Sequence, residues 1–264
     1  MPITLSILFL LLPAQSTPPP AASPSMSVRT LEVGAAHDIA TLQQDWDRVE
    51  SRLWWAGTSR VRPVLGVASQ RRASIWQTRG EVGAYSDWSS RFYTIESFGL
   101  ATHVAPAAQS YPLLRGDVVA VFKASATAPV SATTGYGYMT FGNSRSAQLY
   151  SGGVMATTGV TITQVTMYVN RTQPGALMSV AAVASLQRGA EGTAWYGGSF
   201  GAGRELYRID PAGAANADFT SVTFTGFARR WLSRSTGLHA SVEYQRFVNS
   251  YQRVSLRGRL FVEF

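Results

Sequence analysis

Apolar and polar residues alternate along most of this chain with a period of two. The clearest stretch is Arg253 to Phe264, where Val254, Leu256, Gly258, Leu260, Val262 and Phe264 share one parity. The other parity holds Arg253, Ser255, Arg257, Arg259, Phe261 and Glu263. Successive side chains of a strand point to opposite faces, so this is a strand with one apolar and one polar surface. Thr220 to Arg229 splits in the same way, and Ala240, Val242 and Tyr244 oppose His239, Ser241, Glu243 and Gln245. Strands are predicted at 27–37, 46–56, 59–70, 75–86, 91–103, 112–124, 130–141, 146–156, 159–170, 176–187, 192–204, 218–231, 238–248 and 253–264. Gly, Ser, Asn, Pro or charged breaks separate them. Segments 91–103 and 146–156 mix the two parities. No helical periodicity persists, and Ala40 to Val49 is the best short helical stretch. The fold class expected is all-β: one antiparallel transmembrane β-barrel of about fourteen strands, with twelve or sixteen as the nearest alternatives.

A soluble β-sandwich shows the same alternation. The two ends of the chain favour the barrel. Ile3 to Leu12 is an apolar run that stops at Pro13 and is too short to span a bilayer. With small residues at Ala14-Gln15-Ser16, residues 1–16 read as a signal peptide, although no Lys or Arg precedes the run. Residues 17–25 read as a Pro-rich linker and residues 26–264 as the barrel. The chain closes on Arg257, Leu260, Val262 and Phe264, which resembles the C-terminal signal read by the barrel assembly machinery. The glycine of that pattern falls one place early, at Gly258. If both termini lie in the periplasm, alternate connections should be short. Gly57-Thr58, Asp87 to Ser90 and Thr157-Thr158 fit, while Glu205 to Ala217 reads as the longest connection on the opposite side.

Composition sharpens the picture. Charged residues are 14% of the chain, against roughly 25% in soluble domains. Seven Trp, 11 Tyr, 12 Phe and 24 Gly suit strands, turns and interfacial belts. Cysteine is absent, which excludes disulfides, thiolate metal sites and a cysteine nucleophile. The net charge of +8 comes almost wholly from arginine, since Lys123 is the only lysine. The arginines are scattered, which points to a basic lumen or to anionic lipopolysaccharide and away from nucleic acid. Gly197-Gly198-Ser199-Phe200-Gly201 matches G-x-S-x-G, but no helix is predicted after it, so a nucleophile elbow lacks its context. His239, Ser241 and Glu243 share one face at spacing two, which reads as a hydrated lumen face. His37, His103 and His239 are far apart. No catalytic, cofactor or metal residues are assigned, and the chain is not expected to be an enzyme.

The Gly and aromatic motifs carry a resemblance. Thr133-Thr134-Gly135-Tyr136-Gly137-Tyr138, Gly152-Gly153-Val154, Gly192-Thr193-Ala194-Trp195 and Gly201-Ala202-Gly203 with the loop at Tyr207 resemble the YaiO family of outer-membrane β-barrel proteins. Gln70-Arg71-Arg72 and Thr78-Arg79-Gly80 are similar too. The resemblance spans about residues 27–264 and implies an outer-membrane barrel of a Gram-negative cell, with no catalytic residues.

Two functional classes remain. The first is a porin-like channel for small polar or anionic solutes, saccharides included. It draws on charged residues expected inside: Arg60, Arg62, Arg79, Glu81, Arg229, Glu243, Arg257, Arg259 and Glu263. The second is a non-conducting envelope barrel acting through a surface or polysaccharide partner, with an outer-membrane enzyme a distant third. The expected partners are outer-membrane lipid, lipopolysaccharide and the assembly machinery.

Overall fold

The computed structural model describes residues 29–41, 45–55, 60–72, 74–104, 111–142, 145–208, 216–248 and 252–264. The signal peptide, the linker and the Gly57-Thr58 turn read from the sequence lie outside the described residues. Fourteen strands follow in order: β1 (Thr30–Ala40), β2 (Trp46–Trp54), β3 (Val61–Arg72), β4 (Ile75–Ser89), β5 (Phe92–Ala101), β6 (Leu114–Lys123), β7 (Val130–Gly142), β8 (Arg145–Thr158), β9 (Thr161–Gln173), β10 (Leu177–Ala190), β11 (Ala194–Arg208), β12 (Asn216–Trp231), β13 (Thr236–Phe247) and β14 (Gln252–Glu263). Each pairs antiparallel with its neighbours in sequence, and β1 pairs with β14, so the sheet is a closed barrel. No described residue is helical. The strand count matches the sequence pattern, and the soluble sandwich is ruled out by closure.

Closure is continuous. Eleven residue pairs join β1 to β14, from Thr30 opposite Glu263 to Ala40 opposite Arg253. The seam is extended beyond the strands by Arg29 and Phe264, which exchange backbone bonds of 3.0 and 2.9 Å. A closed ladder leaves no sheet edge, which is the condition for crossing hydrocarbon with strands. The outer face is correspondingly apolar. Val33, Leu65, Val165, Leu186 and Leu260 are each at least half exposed on it. Tyr136 and Tyr150 pair across β7 and β8 on that face, as Phe200 and Phe224 do across β11 and β12.

Both strands that mix parity have a physical reason. On β5, Tyr93 and Ile95 point inward to an apolar cluster, while Thr94 and Glu96 fall on the outer parity. There Ser86 donates to Glu96 and Trp88 Nε1 donates to Thr94 at 2.7 Å. On β8, Met155 belongs to the same inner cluster, and Gln148 takes an outward position, where it accepts from the Tyr150 hydroxyl.

Connections differ from expectation: β4 runs to Ser89 and β8 to Thr158, so the turns expected at Asp87 to Ser90 and Thr157-Thr158 fall at 90–91 and 159–160. The segment Glu205 to Ala217 is not the longest loop, because β11 runs to Arg208 and β12 starts at Asn216. Continued pairing, from Arg204 opposite Thr220 to Arg208 opposite Asn216, lengthens the hairpin. The longest connection is 102–113, between β5 and β6. It lies at the distal end of the barrel, opposite the end that bears Arg29 and Phe264. Tight turns occur at the near end, where Gly159 takes φ +59° between β8 and β9.

An arginine placed at Leu260, on the outer face, should cost about 2–4 kcal/mol if the site lies near midplane. The same change at Ser241, on the inner face, should cost less than half as much. Reversible urea unfolding from lipid vesicles measures both. Equal costs would mean that the faces are wrongly assigned.

Candidate functional site: the charged wall of the lumen

The strand register sorts the inner side chains into two walls. On β12–β14, β1–β4 and β6 the inward positions carry acids and guanidiniums. They include Glu32, Glu50, Arg52, Arg79, Glu81, Arg229, Glu243, Arg257 and Arg259. On β7–β11 the described inward side chains are small or uncharged, apart from Arg145 at the distal rim. Thr133, Ser151, Thr166, Ser185 and Ser199 belong to them, with Gly135, Gly153 and Gly201 between. One wall of the lumen is therefore ionic and the other is largely uncharged, with Met139, Phe141, Leu149, Met155 and Ile162 buried on it beside the hydroxyls.

The ionic wall is a connected network. Arg229 meets Glu32 at 2.5 Å and Glu263 at 3.9 Å. Arg259 gives its Nε to Glu50 at 2.6 Å and reaches Glu32 at 3.8 Å. Arg257 shares Glu50 at 3.7 Å. Nearer the distal end, Arg253 pairs with Glu243 at 2.5 Å and with Asp38 at 3.7 Å. On the β3–β4 side, Arg79 holds Glu81 at 2.9 Å and Arg52 reaches the same acid at 3.9 Å. Cations outnumber acids on this wall once Arg48, Arg62 and Arg72 are included, so the lumen carries a positive bias.

Apolar groups narrow both ends. Near the terminal end, Tyr85, Tyr93, Val121, Met155 and Ile162 form a cluster, with Trp195 against it. Phe261 is 1% exposed, packed edge-on by Trp231 and covered by the Arg229 guanidinium at 3.8 Å. Toward the distal end, the buried Gln77 amide donates to the carbonyls of Thr102 and Tyr111 and accepts from the Tyr111 N–H. This clamp draws Tyr111 inward until Arg79 lies 5.1 Å from its ring centre. Burial pushes the Tyr111 hydroxyl pKa up, against the pull of Arg48 and Arg79. In the turn after β10, burial and the neighbouring Glu263 raise the pKa of Glu191.

Arg62 is buried and bonds Thr30 Oγ1 at 3.3 Å. Arg79 and Glu81 pair with each other. Arg229, Arg257, Arg259 and Glu263 join the network around Glu32 and Glu50, while Glu243 belongs to the Arg253 group. Arg60 sits in the bend before β3, off the wall. The strand pattern places Glu32, Glu50 and Arg52 inward too, and reading 30–40 and 46–54 for parity finds them; Arg253 joins them from the polar parity of β14. Tyr111 has no such signal, because it lies in a connection. Ser199 of the G-x-S-x-G match sits within β11, opposite Ser185 and Thr225, with no helix after it. His239 packs edge-on against Phe227 at 5.9 Å between ring centres. His37 is on the outer parity, 2.8 Å from Asp47. Among the described residues, no group of three or more His, Asp or Glu is arranged to hold a metal.

A family model described as YaiO membrane beta barrel domain matches residues 31–208. No curated protein matches the chain in sequence. Among solved structures, a bacterial polysaccharide outer membrane secretin is similar at TM-score 0.56 and 8% identity, covering 91% of this chain and 100% of that one. An outer membrane channel from Pseudomonas putida F1 is similar at TM-score 0.55 and 8% identity, covering 90% and 94%. At these identities the likeness is one of fold.

A double-mutant cycle tests the network. Glu50→Gln strands Arg259 and Arg257 without their shared acid and should destabilise the barrel. Arg259→Gln alone should do likewise, and the double variant should lose less than the sum, with a coupling of about 1–3 kcal/mol. Additive losses in urea unfolding would show that the pair is not coupled.

Proposed function

Since the chain belongs to the family of YaiO membrane beta barrel domains, we propose that it forms a narrow channel for small polar or anionic solutes, saccharides among them. Its place is the outer membrane. The observation that supports this reading is the division of the lumen. A positively biased ionic wall on β12–β14, β1–β4 and β6 faces a largely uncharged wall on β7–β11. A charged wall attracts counter-ions, and the wall opposite brings almost no charge to compete for them. Fourteen strands enclose more than the filled interior of eight and less than the open pore of sixteen. The similar fold of an outer membrane channel and of a polysaccharide secretin is consistent with this reading. The barrel is taken to work without catalytic groups or a cofactor.

A second reading, a non-conducting envelope barrel, draws on the apolar cluster of Tyr93, Val121, Met155 and Ile162 at the terminal end. Side chains packed across that mouth could close it. In both readings the terminal end faces the periplasm, and the outer-face arginines Arg171 and Arg246 near the distal end would meet lipopolysaccharide. Arg257, Leu260, Val262 and Phe264 would be read by the assembly machinery before the seam closes.

Conductance in planar bilayers separates the readings. The channel should pass a small anion-selective current, and an Arg257→Ala/Arg259→Ala variant should move selectivity toward cations. Folded barrel with no current would leave the envelope reading in its place. Deleting Phe264 should slow assembly of the heat-modifiable barrel in cells while leaving export intact; unchanged assembly would remove the C-terminal signal from the account.

A further inference from the structure

Gly66 and Ala68 occupy successive inward positions of β3. Gly66 lies between Arg52 on β2 and Glu81 on β4, and Ala68 lies between Glu50 and Arg79. Two small residues are thus each flanked by long charged ones. The result is a shallow recess open to the lumen, bounded on its remaining sides by Glu32 and Arg259. Packing of the wall does not demand glycine here. A Cβ on Gly66 would come no closer than 3.7 Å to any neighbour, and φ is not in the left-handed region. The missing side chain leaves free volume and relieves no clash.

The lining is balanced, with three guanidiniums (Arg52, Arg79, Arg259) and three carboxylates (Glu32, Glu50, Glu81). It also has unused hydrogen-bonding capacity. Arg52 reaches its acid only at 3.9 Å, too far for a hydrogen bond, so its fork of N–H donors is free to turn toward a solute. Glu81 commits one oxygen to Arg79 and leaves the other in that long contact. Glu50 uses a single oxygen for both Arg257 and Arg259. Donors and acceptors therefore alternate around a shallow neutral floor.

We propose that this recess is a subsite for one pyranose ring of a neutral saccharide. A vicinal diol accepts from a guanidinium with one hydroxyl and donates to a carboxylate with the next, so it matches an alternating set. A neutral ligand leaves the three-to-three balance intact. An anion would be set against three carboxylates, and a cation against three guanidiniums. The subsite rests on the reading of the lumen as open to solute, and it names the solute class for that reading.

The test is saturation-transfer NMR on the full barrel folded in detergent, with maltotriose as the neutral probe and trigalacturonate as the anionic one. Maltotriose ring protons should receive saturation, and trigalacturonate should bind more weakly. Gly66→Leu, which fills the recess, should weaken maltotriose binding about tenfold or more. Gly80→Leu should leave it unchanged, since Gly80 lies on the outer face of β4 with nothing within 4 Å. Arg52→Gln withdraws the charged guanidinium fork without adding bulk and should weaken binding as well. Heat-modifiable migration verifies that each variant is folded. Binding that survives both Gly66→Leu and Arg52→Gln overturns the location. Tighter binding of trigalacturonate overturns the assignment to a neutral sugar. No transfer in a barrel that conducts ions overturns the subsite and leaves the channel standing, whereas transfer without conductance supports the subsite and overturns the channel.

Discussion

Closure of the β1–β14 seam is the constraint on which the rest depends. In hydrocarbon an unpaired backbone N–H or C=O costs several kcal/mol, and a sheet edge would expose a whole row of them. The eleven pairs between Thr30–Ala40 and Arg253–Glu263 remove the last edge. Once closed, the barrel leaves each strand two surroundings only. One parity must tolerate lipid, and the other must fill or line the lumen. The alternation of Leu256, Leu260 and Val262 with Ser255, Arg257 and Arg259 follows directly.

Closure also explains why the charges are organised as a network. Guanidiniums on the lipid side would be costly at midplane, so most of the midplane arginines are inside. There they crowd together, and crowded like charges need acids between them. Glu32 and Glu50 supply this on β1 and β2, linking Arg229, Arg259 and Arg257 across the seam. The network therefore ties the first two strands to β12 and β14 by side chains as well as by backbone. The opposite wall has little charge to neutralise and is built from Gly, Ser and Thr together with apolar residues such as Met139, Leu149 and Ile162. That asymmetry gives the lumen its positive face.

Much of this was legible in the residues. Strand number and approximate limits follow from period-two alternation, and the inward charges of β14 follow from its parity. Other features were not legible, for reasons that are also physical. The parity of β5 is blurred because Tyr93 and Ile95 join an inner apolar cluster while Glu96 sits on the outer face among Ser86 and Thr94. An alternation rule assumes an apolar outside and a polar inside, and this strand reverses both. The hairpin of β11 and β12 outruns its sequence signal because polar residues such as Asn216 continue the ladder. Tyr111 reaches the ionic wall from a connection, through a clamp by Gln77 that no spacing encodes. Which acid serves which arginine depends on register across the seam, and so appears only in three dimensions.

The absence of cysteine allows one measurement to test the central claim, a hydrated and positively biased lumen inside a lipid-facing barrel. Single cysteines are placed at Ser199 and Phe200, adjacent residues of β11 that face the lumen and the outside respectively. Reaction rates with an anionic and a cationic water-soluble thiol reagent are then compared in intact vesicles. The account predicts that the Ser199→Cys barrel reacts, and faster with the anionic reagent, while the Phe200→Cys barrel is protected from both. Protection of Ser199→Cys from both reagents, or faster reaction with the cationic one, would contradict it.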